Sequence, residues 1–196
     1  DHQDLHSFPT RRSSDLAVLH ILPNGVFDTR NANTGDRSER VAQVWLGHGG
    51  NSSAQVNTGT GTLALNPTGD TTGFYVLVYA DGGTTWALAT IDGNIDLASP
   101  QMPRTRRWFK VPNSPAQVGE LMVNANIGGQ GGLEKSGRGV MVLTGDNAYA
   151  GETIVNEGTL VAASDTALGS PAEGTVVEWG GRSEEHTSEL QSRQSI

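Results

Sequence analysis

An all-β, turn-rich fold is what this sequence predicts, and three observations carry the prediction. Glycine supplies 26 of the 196 residues, about twice its ~7 per cent share of ordinary chains, and each interior glycine costs a helix ~1 kcal/mol relative to alanine. Only 6 per cent of residues are aromatic and 35 per cent hydrophobic, so a core has to be built from small aliphatic side chains. Apolar residues alternate with polar ones over short stretches bounded by Gly, Asn, Asp or Thr, which is the pattern of short strands. Cysteine is absent, which excludes disulfides and thiolate metal sites. A formal charge of −8 and a pI near 5.0 argue against a general nucleic-acid binder.

The ends differ from the middle. No glycine occurs in residues 1–16 or in 182–196. His6-Ser-Phe-Pro-Thr-Arg-Arg-Ser-Ser-Asp-Leu16 resembles a translated sequencing-library adapter, and Arg182-Ser-Glu-Glu-His-Thr-Ser-Glu-Leu-Gln-Ser192 resembles its translated partner. Arg-Ser-Glu-Glu can be written AGA TCG GAA GAG. The reverse complement, read one base later, gives Ser-Ser-Asp-Leu, as at Ser13–Leu16. Residues 1–16 and 182–196 are therefore read as non-native tails and set aside, with His2, His6 and His186. Residues 17–181 keep nine basic and fifteen acidic residues, a net charge of −6. They read as a fragment, so a signal peptide is not observable. The longest apolar runs, Ala17–Leu19 and Phe74–Ala80, are far too short to span a bilayer.

Between the tails the strands follow in order. Val44/Leu46, Leu63/Leu65, Ala89/Ile91 and Ile95/Leu97 come first. Leu121/Val123/Ala125/Ile127, Met141/Leu143, Val155 and Leu160/Ala162 follow. The punctuation is dense: Gly47-His-Gly-Gly-Asn51, Asp81-Gly-Gly83, Gly128-Gly-Gln-Gly-Gly132, Gly145-Asp-Asn147 and Gly180-Gly181. These are residues that turn a chain tightly. Some pairs recur at an offset near 20: Val44/Leu46 to Leu63/Leu65, Leu121/Val123 to Met141/Leu143, and Met141/Leu143 to Leu160/Ala162. Such a period suits a parallel coil that stacks each turn ~4.8 Å above the last. At roughly 20–25 residues per turn, residues 17–181 would make about seven coils. An antiparallel sandwich also shows short strands at close spacing, and periodicity leaves both open.

Candidate chemistry is sparse. Arg104-Thr-Arg-Arg-Trp-Phe-Lys110 interleaves cations with aromatics. On a strand, Arg104, Arg106, Trp108 and Lys110 share one face, a candidate surface for an acidic glycan or, less well, nucleic acid. A plain solvated strand shows the same pattern, and Arg107, pointing inward, has no account. Gly128-Gly-Gln-Gly-Gly-Leu133 is like the start of a calcium-binding nonapeptide. Leu133 stands where the Asp ligand belongs, so no metal is expected. For catalysis, residues 17–181 offer only His20 and His48, far apart in sequence. Asp92 and Asp96 are the nearest carboxylate pair, but four residues of extended strand span ~13 Å. Paired glycosidase carboxylates sit roughly 5–9.5 Å apart. No catalytic residue and no cofactor are assigned.

One segment carries a specific resemblance. Gly131-Gly-Leu-Glu-Lys-Ser-Gly-Arg-Gly-Val-Met-Val-Leu-Thr-Gly145 continues as Asp-Asn-Ala-Tyr-Ala-Gly-Glu-Thr-Ile-Val-Asn-Glu-Gly-Thr-Leu-Val161. It resembles the autotransporter-associated β-strand repeat, with Gly131, Gly132, Leu133, Lys135, Gly137, Gly139, Leu143 and Gly145 at motif positions. Asn147, Tyr149, Gly151, Thr153, Val155, Asn156, Gly158, Thr159 and Leu160 continue the match. Met141 stands where leucine is usual, and Glu152 where a small residue is common. The resemblance is specific over 131–161, extends weakly from about Ala89 to Gly169, and covers 17–88 in style only.

What it implies is an all-β, right-handed parallel β-helix, a pectin-lyase-like solenoid. Residues 17–88 would be β-rich coils, and 89–181 a β-helix centred on the repeat. Met141/Leu143, Thr153/Val155 and Leu160/Ala162 would face inward, with Asn156 a corner amide able to stack on its neighbours. The function implied is that of a bacterial secreted or surface-displayed passenger, a non-catalytic stalk or adhesion scaffold. Its partners would be glycans or host cell-surface molecules, with membrane attachment only through a C-terminal barrel or other anchor. The competing reading is a polysaccharide lyase or hydrolase on the same fold.

Overall fold

The structure is a computed structural model that describes residues 18–22, 24–30, 39–41, 43–46, 53–65, 75–78, 88–97, 106–112 and 120–185. These residues contain strands and no helix, and none of their segments is a helix long and apolar enough to cross a membrane. The strands lie in three rows. The first stacks β1 (Val18–Ile21), β4 (Gln43–Leu46), β7 (Tyr75–Val78), β10 (Arg106–Lys110) and β13 (Gly132–Ser136). The second stacks β2 (Val26–Asp28), β5 (Gln55–Asn57), β8 (Ala89–Asp92), β11 (Leu121–Val123) and β14 (Val140–Leu143). The third stacks β3 (Glu39–Val41), β6 (Leu63–Leu65), β9 (Asn94–Asp96) and β12 (Asn126–Gly128). Two long strands, β15 (Thr153–Ala162) and β16 (Thr175–Glu185), run through both of the first two rows and join them.

Every pairing among the described strands is parallel. The chain visits row one, row two and row three in turn and then climbs to row one again. This is a parallel β-helix. Counting row-one strands gives seven coils, a column about 30 Å tall at one interstrand spacing per coil.

Alternation decides which side chains fill it. Val44, Leu46, Leu63, Leu65, Ile91, Leu121, Val123, Met141, Leu143 and Leu160 are buried, while the residues between them face outward. Register stacks like on like: Ile91, Val123, Leu143 and Ala162 form one inward column across four coils. Each such aliphatic side chain contributes ~1.5–3 kcal/mol by leaving water. No single coil could bury its own apolar edge, so stability comes from stacking.

The structure corrects the sequence reading in three places. Val44/Leu46 and Leu63/Leu65 do not stack, since β4 lies in row one and β6 in row three. Their offset is the distance between two sides of one column. Coil length is not uniform: Gln43 pairs with Tyr75, 32 residues on, whereas Leu133 pairs with Thr153, 20 residues on. Leu121–Ile127 is not one strand, because the chain turns at Asn124 and Ala125 from row two into row three. Inward alternation survives the corner, with Ala125 and Ile127 buried.

At the C-terminal end, pairing runs past residue 181. Thr159 pairs with Arg182, Leu160 with Ser183 and Ala162 with Glu185. Backbone hydrogen bonding at an open sheet edge accepts almost any sequence, and side-chain pattern is the sharper marker. Ser183 and Glu185 occupy register positions that earlier coils fill with apolar residues. The tail at 1–16 and residues 186–196 lie outside the described residues.

Candidate functional site

The densest constellation of unusual side chains is the corner machinery of the repeat. Lys135 alternates inward from β13 and is buried. Its ammonium donates to the carbonyls of Ser136 (3.0 Å), Gly137 (2.5 Å) and Glu157 (2.9 Å). Glu157 belongs to the next coil, so this lysine staples two turns together. Burial pushes its pKa down to about 8, against the opposing pull of the Glu120 and Glu157 carboxylates. Glu120 is buried as well and accepts the backbone N–H of Val140 at 2.5 Å.

The turn beside Lys135 needs glycine. Gly158 has φ +76°, and a Cβ there would lie 2.4 Å from the carbonyl oxygen of Gly137. Two-coil contact at this corner excludes a side chain.

One corner further, Asn147 is buried and spans three coils. Its Oδ1 accepts the N–H of Ile127 (2.8 Å) and its amide donates to the carbonyl of Ala167 (2.6 Å). Tyr149, also buried, shares a 2.5 Å hydrogen bond with the Thr153 hydroxyl. Burial raises the Tyr149 phenol well above its ordinary range, against a smaller lowering by that bond. Asn156 is not the stacking amide. It is exposed and donates to Glu134 at 3.2 Å, because β15 continues through it. The distinction between Asn147 and Asn156 is one of facing, which an asparagine in a turn-rich sequence does not reveal.

On the outer surface, β10 alternates as its sequence requires. Arg106 and Lys110 are exposed, Trp108 is half-buried, and Phe109 and Val111 are inside. Arg104 lies outside the described residues. Arg107 does point inward: its Nε donates to the Leu65 carbonyl at 2.7 Å, bridging row one to row three. Burial lowers its pKa to about 10, against the attraction of Asp96.

The remaining candidates are dispersed. Asp92 ends β8 and accepts the side-chain amide of Asn124 (2.9 Å), and Thr144 donates on to Asn124 Oδ1 (2.7 Å). These form a polar ladder up the corner. Asp96 lies in row three, past the Gly93 corner and near Arg107. The two carboxylates therefore sit in different environments. His20 is exposed and stacks on Trp45, with ring centroids 5.2 Å apart; His48 lies outside the described residues. Leu133 is core. Among the described residues, no group of three or more His, Cys, Asp or Glu could hold a metal.

Comparison with known proteins meets this geometry at the repeat. Residues 133–162 match the passenger-associated transport repeat family. Over 61 residues, 31% of this chain, the sequence is 39% identical to the adhesin BmaC autotransporter of Brucella suis biovar 1 (strain 1330). That stretch spans 2% of the Brucella protein's length. No solved structure matches the chain.

Proposed function

We propose, for a chain that carries an autotransporter passenger repeat, that residues 17–181 are part of a bacterial surface-displayed or secreted passenger. In this reading the column acts as a stalk or adhesion scaffold and makes contacts without turnover. The observation that carries it is the stapled repeat itself. Lys135 and Asn147 bond across coils, giving a rigid rod whose outward positions are free to vary. The likeness to an adhesin autotransporter supports the same role. Partners would be glycans or host cell-surface molecules, met through outward side chains such as Arg106, Trp108 and Lys110.

The engaged state of Asp92 and the separate placement of Asp96 support a non-catalytic role over a polysaccharide lyase or hydrolase. We read residues 1–16 and 182–196 as foreign to the repeat. The polar register positions of Ser183 and Glu185 support that boundary.

Display is directly testable. The chain is placed between a bacterial export signal and an outer-membrane barrel, and intact cells are probed with antibody and protease. Surface labelling of a protease-resistant fragment is the expected result. Retention inside the cell, or release of unsaturated or reducing ends from polyuronate, would overturn the reading.

A further inference from the structure

The packed interior of the column runs open at both ends. Register links Leu19 to Val177 through every strand of row one, by way of Val44, Phe109, Lys135 and Val155. Those four are fully buried, whereas Leu19 is half-buried and Val177 is 46% exposed. In row two, Val56 is buried, but Phe27, its register partner on the first coil, is half-buried. Among the described residues, the exposed large hydrophobic side chains are Leu22, Val26, Val176, Val177 and Trp179. The first two belong to the first coil and the other three to the last. The backbone is open at the same places. Among the described strands, β1 pairs with β4 and β16 with β15, each along one edge. Native sheets protect such edges with Lys, Pro or inward charges. Neither Val18–Ile21 nor Thr175–Val177 contains Lys, Arg, Asp, Glu or Pro. A bulge at Glu178 and Trp179, where register with β15 shifts, ends the smooth stretch of β16.

We infer that the column stacks head to tail on a second copy of this chain, β1 of one copy pairing in parallel with β16 of the other. Pairing along row one is parallel throughout, so β1 and β16 run in the same sense. The step that carries each coil onto the next therefore also carries one copy onto another. Continuing the register sets Leu19 on Val177 and Val18 on Val176, and brings His20 beside the bulge at Glu178 and Trp179. The inward column then passes unbroken between copies, through the same kind of contact that holds coil on coil. A two-fold arrangement, β16 against β16, reverses strand sense and leaves Leu19 and Phe27 uncovered. A head-to-tail contact does not close on itself, so it builds open chains rather than a fixed dimer. The inference goes beyond the display role, and either stands if the other fails.

The test uses the full chain, followed by sedimentation equilibrium from about 10 μM to 1 mM, a range that reaches the weak affinities of small interfaces. Mean mass should rise continuously with concentration. Val177→Lys puts a charge at the upper end of the column, and Leu19→Lys puts one at the lower end. Each variant, with the parent's circular dichroism spectrum, should associate at least about tenfold more weakly. Mixed in equal amounts, the two should recover a pair and stop there, because one keeps an intact upper end and the other an intact lower end. If Leu19→Lys fails to fold, Val177→Lys added to the parent should still shorten its chains by terminating their growth. A parent that stays monomeric, as when the chain's own terminal residues cover the ends, would overturn the inference. So would a two-fold dimer, in which Val177→Lys abolishes association and Leu19→Lys leaves it intact. Parent chains whose length Val177→Lys leaves unchanged would overturn it too.

Discussion

Replacing Lys135 with methionine isolates the central staple of the repeat. The side chain keeps its length and stays apolar along its stem, but the three donors to Ser136, Gly137 and Glu157 are lost. Hydrogen bonds from a charged group contribute roughly 1.5–3 kcal/mol each. Against them stands the cost of burying the ammonium. A pKa lowered from 10.5 to about 8 corresponds to roughly 3 kcal/mol against the charged form. Methionine escapes that cost but leaves three carbonyls without their donor, at ~1–3 kcal/mol each where buried, and leaves Glu120 buried without its neighbouring cation. The expected net loss at pH 7 is about 3 kcal/mol, within the range for breaking a buried charge contact. For a chain of this size that is a fall of roughly 6–12 °C in melting temperature.

Titration gives a second, sharper signature. Between pH 8 and 10.5 the unfolded lysine still holds a proton that the folded one has released, so unfolding takes up a proton. Stability from this group therefore rises with pH through that window and is flat below it. Tyr149 works the other way, but only once the unfolded phenol ionises near pH 10. Arg107, lowered to about 10, acts above that value. Pulse proteolysis between pH 7 and 9.5 should show the parent gaining stability relative to Lys135→Met as pH rises. A variant as stable as the parent at pH 7, or a difference that stays flat or shrinks as pH rises, would refute the staple argument.

Two further substitutions probe other levels of the stacking. Gly145→Ala places a Cβ 2.1 Å from the carbonyl oxygen of Ala125 on the coil below. It should cost more than ~2 kcal/mol, and hydrogen exchange at the Thr144 and Ala148 amides, which bond to that coil, should accelerate. Asn147→Ala removes the bridge between Ile127 and Ala167 and strands both backbone groups. Roughly 2–4 kcal/mol should be lost by urea denaturation, while Asn156→Ala, at an exposed position, should change stability by less than ~0.5 kcal/mol.

How far the sequence could be read depended on whether a residue's role was local. Met141 and Leu143 alternate with Val140 and Val142, and a strand has only two faces, so their burial was legible. Their stacking on Leu121/Val123 and Leu160/Ala162 followed from equal spacing. The same arithmetic misled at Val44/Leu46 and Leu63/Leu65, because a spacing near 20 also separates two sides of one long coil. The earlier coils simply hold more residues between paired strands than the later ones, and no alternation reports that. Arg107 was legible as inward-pointing but not as satisfied, since its acceptor Leu65 is 42 residues away. Lys135 was visible only as a motif letter. Its function depends on carbonyls that face it after folding, one of them a full coil distant. The cations of β10 were legible from alternation, while the stack of His20 on Trp45 emerges only through register.

Disulfide trapping tests the stacked register most directly, since the chain has no cysteine of its own. Val142 and Val161 face outward as direct partners on adjacent coils, with Cα atoms expected ~4.8 Å apart, inside the range a disulfide spans. Thr159 pairs instead with Val140, which puts it ~8 Å from Val142 along the diagonal, beyond that range. Under mild oxidation, Val142→Cys with Val161→Cys should close quantitatively, and Val142→Cys with Thr159→Cys should stay reduced. Equal closure of both pairs, or closure of the second alone, would contradict the parallel β-helix and everything built on it.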